Sequence, residues 1–315
     1  MSDKTFKTYA QQMQILVDRG LIINHPRTFT TAMQQDDYYN IINGYKKYFI
    51  ATMSPEQYIK GTTFEHIYAL YNFDQKLREI LLPAIIRIEK HVKSVLAYVF
   101  SKAYGHDHRT FLVSTNFDNV TPKKILFSQK LINNIYNTIN YYQRNGHPSI
   151  CHYQNNYGYI PLWVLNTVLT FGNISKFYAC LKLKEQKEIA DHFHISASDM
   201  RGFMPFLNEI RNICAHGERI YTNSREGNFT KFIPDTPMHA QLNIPKNSTN
   251  NYNYGKSDVL AMIIAMRIFL PKSAFRSLKS KIIRLEKHLS LAVPSGIMAN
   301  IDKEMGDLSN NLRQL

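Results

Sequence analysis

The chain has 315 residues, enough for one large domain or two modest ones with a substantial core. Its 38 Lys and Arg residues against 24 Asp and Glu residues give a formal net charge of +14, which favours a polyanionic partner. Nucleic acid is the first candidate, and an anionic membrane surface is the second. Cys151, Cys180 and Cys214 are far apart and odd in number, which predicts reduced, buried thiols rather than a disulfide framework.

Membrane insertion and export are not expected. Residues 1–13 lack the apolar segment of a signal peptide. The longest apolar stretch, residues 259–270, includes Arg267 and is too short to cross a bilayer. We therefore expect a cytoplasmic protein without a transmembrane helix.

Helical patterns dominate the N-terminal part of the chain. Residues 9–19 predict a helix that ends at Gly20. Within residues 26–53, bulky side chains recur at helical spacing and predict a face packed on the bundle, with base stacking as the weaker alternative. These side chains are Tyr38, Tyr39, Ile42, Tyr45 and Phe49.

Residues 62–104 carry the longest helical pattern, with a Thr cap at the start and Gly105 at the end. Their continuous apolar stripe places this helix at the centre of a bundle. We expect Pro83 to kink or break it. Glu89 lies on its polar face four residues before Lys93, so an ion pair between the two is one expectation.

Two pairs of histidines, each beside an aspartate, have the spacing of partial metal sites: His106 and His108 with Asp107, and His192 and His194 with Asp191. Neither pair comes with a third ligand at a typical spacing. We therefore expect no metal ion and no cofactor.

The most informative stretch is residues 203–223. If it is one helix, its apolar residues share an arc of roughly 140°, which predicts a core face. The opposite arc carries polar or small residues: Asn208, Glu209, Arg211, Asn212, Ala215, His216 and Arg219. An ordinary solvated face is the alternative. However, a cation, an amide and an imidazole on one face also suit a phosphodiester.

Two residues of the sequence predict where this helix begins. Ser198 is a candidate cap, and Pro205 suggests a true start near Met204, because proline suits a first turn. Residues 224–257 then lack a helical period and predict a long irregular insertion that holds a short hairpin. Its position after the helix makes it a candidate lid or RNA-contacting loop.

Basic residues concentrate toward the C-terminal end. Residues 267–287 contain seven of them against one acidic residue, Glu286. A solvated helix face is the alternative, but in a chain of this charge we expect contacts with RNA phosphates. The basic residues are Arg267, Lys272, Arg276, Lys279, Lys281, Arg284 and Lys287.

Residues 211–216, RNICAH, resemble the R-x4-6-H signature of HEPN ribonucleases. The longer stretch RNICAHGERIYTN resembles the Abi-like proteins of bacterial abortive infection, which include AbiD and AbiF. Further similar segments follow in family order, so the resemblance covers about residues 8–290. They are residues 11–23, 36–49, 64–92 and 161–181.

The helical patterns predict an all-α fold, and the resemblance implies a HEPN-like helical bundle. We expect an N-terminal helical region, residues 1–60, packed on a helical domain of residues 61–315. The resemblance also implies a metal-independent endoribonuclease of phage defence. In that family a Glu on the central helix commonly faces the Arg-His helix, which makes Glu89 a candidate to orient Arg211 or His216.

The residue chemistry leads to the same reaction. Imidazole can move a proton near neutral pH, and guanidinium can hold a phosphate while charge builds on it. These groups fit cleavage of RNA by its own 2′-OH, with His216 as general acid and base and Arg211 as the transition-state clamp. Asn212 is the expected orienting partner, and Arg219 and Glu209 are expected supports or RNA contacts.

Two other functions stay open at this point. One is a non-catalytic scaffold that holds a structured RNA, and the other is a helical protein that binds a membrane surface or a protein partner. RNA is the expected substrate, and a bound non-coding RNA is a further candidate partner.

We also expect a homodimer. Arg211 and His216 diverge by about 140° on a helix, so one copy does not obviously converge on one phosphate. Two such helices packed antiparallel about a twofold axis would bring both sets into one cleft, and the resemblance implies this arrangement. Alternatively, Arg87 or Glu89 completes the site within one chain.

Overall fold

A computed structural model describes residues 5–221 and 230–315. Over these residues the chain is mostly α-helical, with one two-stranded hairpin, which confirms the expected all-α class. The helices up to residue 165 are α1 (Tyr9–Asp18), α2 (Pro26–Asp36), α3 (Phe64–Tyr104), α4 (His108–Phe111), α5 (Pro122–Arg144), α6 (Pro148–Tyr157) and α7 (Leu162–Leu165). The later helices are α8 (Phe171–Cys180), α9 (Leu183–Asp191), α10 (Ala197–His216), α11 (Pro237–Gln241), α12 (Val259–Phe269), α13 (Lys272–Ala292), α14 (Ser295–Glu304) and α15 (Leu308–Gln314).

Helix α3 lies at the centre of the molecule, as predicted. It packs against α13, α10, α7 and α9. It begins after Thr63 and ends at Gly105, whose φ of 83° suits glycine. The helix runs through Pro83 without a break. Because Pro83 and Glu79 are exposed, water can bind the Glu79 carbonyl that proline leaves without a helical N–H donor.

The segment after α2 differs from the predicted helix. Asp37 has a φ of 59°, which ends α2, and short helical turns follow at Tyr39–Asn43 and Lys46–Phe49. Strands β1 (Ile50–Met53) and β2 (Glu56–Tyr58) then pair antiparallel, with Ile50 opposite Tyr58. These strands are too short to give a clear alternating pattern.

The predicted aromatic face in this segment is largely a packing face. Ile42, Tyr45 and Phe49 are buried, and Tyr38 is partly buried. Tyr39 is the exception, because 73% of its surface is exposed. The core interpretation is therefore confirmed for most of these side chains and wrong for Tyr39.

The N-terminal region shares one core with the rest of the chain. Buried apolar side chains from Leu16 to Leu312 form a single cluster. The N-terminal region also makes polar contacts far along the sequence, since Lys47 pairs with Glu304 of α14 at 3.2 Å. The proposed boundary at residue 60 stays a prediction.

The predicted insertion packs along α10 from residue 230 onward. A Cβ on Gly202 of α10 would approach the ring of Pro234 to 2.7 Å, so glycine permits this close contact. The segment contains α11 and a bridge between Lys246 and Tyr252, which fits the expected short hairpin. Residues 224–229, where the insertion starts, lie outside the described residues.

The C-terminal helices α14 and α15 are part of the core. Ile301 of α14, Leu308 of α15 and Met305 between the two helices are fully buried. Across residues 5–221 and 230–315, no helix has both the length and the apolar character needed to span a membrane.

Candidate active site

Helix α10 carries the R-x4-H motif and starts earlier than predicted. The hydroxyl of Ser196 accepts a 3.0 Å hydrogen bond from the N–H of Asp199, so Ser196, rather than Ser198, is the cap. Pro205 lies within the helix rather than in its first turn. The upstream residues Met200 and Phe203 are buried, and this packing extends the helix past the proline.

The helix ends at His216, because Gly217 adopts a left-handed conformation with φ of 73° and donates its N–H to the carbonyl of Ile213. Arg219 is therefore not part of the helix, and the single-helix interpretation is wrong beyond residue 216. Ile220 and Tyr221 are buried as predicted, but they lie in an irregular segment rather than on a helical face.

A buried aspartate on α3 holds this segment. Oδ1 of Asp74 accepts hydrogen bonds from the backbone N–H groups of Ile220, at 3.0 Å, and Tyr221, at 2.9 Å. Its Oδ2 accepts the hydroxyl proton of Tyr45 at 2.8 Å and pairs with Arg78. Arg78 also donates to the carbonyl of Glu218 at 3.1 Å.

Burial raises the pKa of the Asp74 carboxyl, and Arg78 opposes that shift. Just beyond the motif, Asp74 therefore binds two backbone N–H groups, and Arg78 binds one backbone carbonyl. Neither role was predicted from the sequence. The available signal was a carboxylate and a guanidinium four residues apart on a helix predicted to be central.

Glu89 of α3 links the centre of the bundle to the motif. Its Oε2 lies 3.7 Å from Nε of Arg211, and its Oε1 pairs with Lys93 at 2.7 Å. Glu89 therefore contacts both Lys93 and Arg211, and its role in orienting Arg211 stays a prediction. The 3.7 Å contact is ionic and too long for a hydrogen bond. Because Glu89 is buried and the side chain of Arg211 is 38% exposed, the carboxylate holds Arg211 at the surface.

Asn212 and His216 are both exposed, but they line different clefts. The cleft at Asn212, about 450 Å³ in volume, also includes Lys176 of α8 and Lys231 of the insertion. The cleft at His216, about 600 Å³, includes Arg219 and the helical turn Tyr39–Asn43. We call these the Asn212 cleft and the His216 cleft. Within the described part of one copy, Asn212 and His216 do not line the same cleft, and Arg211 lines neither of these two clefts.

The two supporting residues have structural partners. The carboxylate of Glu209 accepts hydrogen bonds from the N–H and hydroxyl of Thr230, at 2.9 and 2.6 Å, and from the N–H of Lys231, at 3.0 Å. Glu209 thus anchors the insertion to α10. Nη1 of Arg219 donates to the carbonyl of Gly44 at 2.7 Å, which joins the residues after α10 to the N-terminal region.

The predicted basic face lies mainly on the solvent side of α13. The apolar residues of α13, such as Phe275, Ile282 and Leu289, are buried on the opposite side of the helix. Arg267 stands apart at the end of α12, 5.5 Å from the ring of Phe275, and Lys279 donates to the carbonyl of Arg313 at 3.3 Å. The remaining five basic side chains are exposed: Lys272, Arg276, Lys281, Arg284 and Lys287.

Two members of the first histidine cluster, His108 and Asp107, have structural partners. Nδ1 of His108 accepts the N–H of Ile160 at 3.1 Å, and Asp107 pairs with Arg109. In the part of the chain that the structure describes, no three His, Cys, Asp or Glu side chains are grouped so that they could hold a metal ion.

All three cysteines are free. Burial raises the pKa of the Cys180 and Cys214 thiols to about 12, which keeps them protonated and unreactive. Cys151 is only partly buried, so the prediction of a buried thiol is wrong there. It lies in the first half of the short helix α6, where its thiol donates to the carbonyl of Gln143 at 3.5 Å.

The comparisons with known proteins agree with the motif. A profile of the Abi-like protein family matches residues 31–222, which is more than half of the chain. Comparisons with curated proteins and with solved structures found no match. The matched region begins in α2 and ends just after α10, so it contains Glu89, Arg211, Asn212 and His216. The chain belongs to the Abi-like protein family.

Proposed function

We propose that this protein is a metal-independent endoribonuclease of the HEPN type that acts in abortive infection, the phage defence after which its family is named. The observation that carries the proposal is the exposed end of α10. There Arg211 is held by the buried Glu89 of α3, and Asn212 and His216 lie open to solvent. The net charge of +14 and the exposed cations of α13 favour RNA as the substrate.

In the proposed reaction the RNA supplies its own nucleophile. The 2′-oxygen forms a bond to the adjacent phosphorus as its proton passes to a base, and the bond from phosphorus to the 5′-oxygen breaks as that oxygen takes up a proton. The products are a 2′,3′-cyclic phosphate and a 5′-OH. The imidazole of His216 moves the protons, and the guanidinium of Arg211 stabilises the charge on the phosphate oxygens. Asn212 orients the phosphate or the imidazole.

The proposal includes a homodimer. Within one step, a single imidazole cannot act both as the unprotonated base and as the protonated acid. Two copies of His216 would supply the two forms. Twofold packing near Asn208, Arg211, Ala215 and Arg219 would also join clefts that diverge in one chain. The start of the insertion, which we also expect at this interface, lies outside the described residues.

An RNA-binding scaffold is the alternative function. The exposed cations of α13 favour it, because they provide phosphate contacts without any need for cleavage. The scaffold would bind RNA with the same salt dependence as the ribonuclease but would leave the RNA intact.

The two functions are separated by incubating purified protein with looped RNA in excess EDTA. We expect cleavage and 2′,3′-cyclic phosphate ends. His216→Ala should abolish cleavage and keep RNA binding, whereas His192→Ala, at an exposed histidine after α9, should behave as the parent does. Activity that disappears with EDTA and returns with magnesium would contradict the metal-independent mechanism.

A further inference from the structure

The His216 cleft has a second wall, which the R-x4-H motif does not include. The helical turn Tyr39–Asn43 and Gln75 of α3 face the end of α10 across this cleft of about 600 Å³. The walls are joined by the hydrogen bond from Arg219 to the carbonyl of Gly44 at 2.7 Å. The N-terminal region therefore shapes the space beside His216.

The side chains on this wall have the chemistry that recognises a nucleobase. Tyr39 is 73% exposed, although its neighbours Ile41 and Ile42 are fully buried, so its ring is presented to solvent. Asn43 is exposed in the same turn. The Nε2 of Gln75 donates to the hydroxyl of Tyr71, which orients its carboxamide.

We infer that the His216 cleft binds one unpaired nucleobase of the RNA, next to the phosphate that is cut. The base stacks on Tyr39, and its edge bonds to the carboxamides of Asn43 and Gln75, because a carboxamide offers a donor and an acceptor together. Arg219 and His216 lie on the side of the sugar and phosphate. This inference rests on the proposed function and adds a specificity site to it.

The charges in the cleft agree with a base rather than a run of phosphates. Arg78 and Arg219 are accompanied by Asp36 and Glu218, so the lining is nearly balanced. Arg78 is already paired with Asp74, and Asp36 accepts a hydrogen bond from Tyr71. The five exposed cations of α13 offer contacts for the phosphate backbone, which leaves this cleft to read a base.

Product mapping tests the inference directly. RNA with a randomised single-stranded loop is cleaved, and the 5′-OH ends are sequenced. We expect the parent to show a base preference at one position beside the cut and Asn43→Ala to reduce that preference on the order of ten-fold. The matched control is Asn140→Ala, at an exposed asparagine of α5. A parent that cleaves without a base preference, or an Asn43→Ala variant that keeps the parental preference, would overturn the inference.

Crosslinking gives a readout that does not require cleavage. A single-stranded oligonucleotide with 4-thiouridine is irradiated with His216→Ala protein, and the labelled peptide is identified. We expect label on residues 39–43 and about ten-fold weaker labelling in a variant that also carries Tyr39→Ala. The matched control is Tyr98→Ala, because Tyr98 is 65% exposed on α3. Absence of label on residues 39–43 overturns the inference. Label there with a parent that does not cleave supports the base site and rejects the proposed ribonuclease.

Discussion

The backbone N–H of Tyr221 donates a 2.9 Å hydrogen bond to Oδ1 of Asp74, which lies on α3, 147 residues earlier in the chain. Asp74 is fully buried, and its other oxygen contacts Tyr45 and Arg78. One carboxylate therefore fixes the chain just after the R-x4-H motif to the central helix and to the N-terminal region.

Asp74→Ala should strongly destabilise the protein. It leaves Arg78 buried without its partner and removes the acceptor of two backbone N–H groups. Breaking such a buried pair costs about 3 to 5 kcal/mol. Urea denaturation measures the change, and Asp18→Ala, at an exposed aspartate of α1, is the matched control.

A variant too unstable to purify would agree with this expectation. In that case Asp74→Asn, which keeps the shape and loses the charge, supplies the measurement. An Asp74→Ala protein with the parental unfolding midpoint would show that the cluster contributes little.

The sequence was most informative where the pattern is long. The apolar stripe of residues 62–104 predicted the central helix correctly, because a periodic signal across about 11 turns outweighs a single proline. The hairpin Ile50–Tyr58 and the end of α10 at His216 depend on local backbone geometry, which a helical wheel does not contain. The wheel therefore placed Arg219 on the helix.

For the candidate site, the sequence likewise predicted only the features that depend on local spacing. Local spacing gave Arg211, Asn212 and His216, which lie on one helix. The contacts of Asp74 with residues 220–221 and of Glu209 with residues 230–231 depend on how segments distant in sequence meet. Such contacts leave no periodic trace, so sequence reasoning missed the first and did not predict that Glu209 anchors the insertion.

Glu89→Gln should slow RNA cleavage more than it weakens RNA binding. The change keeps the size of the side chain but removes the charge 3.7 Å from Nε of Arg211, so the guanidinium loses its fixed position. Misplacement of a catalytic group by about 1 Å can lower the rate on the order of 100-fold. We therefore expect a fall in kcat with little change in KM.

Lys93→Met is the control for this experiment, because it removes the other ion pair of Glu89 and leaves Arg211 in place. If Glu89→Gln raises KM and keeps the parental kcat, Glu89 does not position Arg211 for the chemical step.

The contribution of Asp258 to the stability of the folded protein should fall as the pH rises past the pKa of its carboxyl. Burial raises the pKa of this carboxyl to about 6, although the N–H groups of Gly255 and Ala261 donate to it and oppose the shift. In the unfolded chain its pKa is near 3.8. Between these values the folded protein holds the extra proton. The contribution is therefore full below about pH 4 and is lost as the pH rises through about 6.

The shift corresponds to at most about 3 kcal/mol. Asp258→Asn does not titrate, so the unfolding free energy of the parent minus that of the variant should decrease between pH 4 and pH 7. Urea denaturation at each pH measures both proteins, and subtraction cancels the other titrating groups. A difference that stays constant, or increases with pH, would reject the assignment.

The salt dependence of RNA binding should depend on α13. Each phosphate contact that is lost lowers the slope of log K against log salt by about 0.7 for single-stranded RNA. Replacing Lys281, Arg284 and Lys287 with Glu should reduce the slope by roughly 2. Lys279 is left unchanged because it already bonds to the carbonyl of Arg313.

The matched control replaces three exposed cations of α5, Lys123, Lys130 and Arg144, with Glu. Both triple variants have the same net charge, so a non-specific charge effect would change both slopes equally. Equal slopes in the two triple variants would show that α13 is not part of the RNA-binding surface.

A shared site predicts that two inactive variants can restore one another. Arg211→Ala and His216→Ala proteins carry different tags, are mixed, and the mixed dimers are isolated by both tags. Each mixed dimer then holds one intact Arg211 and one intact His216, so part of the cleavage activity should return, although the second imidazole is missing. Arg87→Ala tests the alternative in which Arg87 completes the site within one chain. This variant should keep the parental activity on its own if the site is twofold, and should lose it under the alternative. Recovery in the Arg211 and His216 mixed dimers, together with an active Arg87→Ala protein, supports the twofold site. Mixed dimers no more active than either variant alone, or a fully active monomer by light scattering, would place the whole reaction within a single chain.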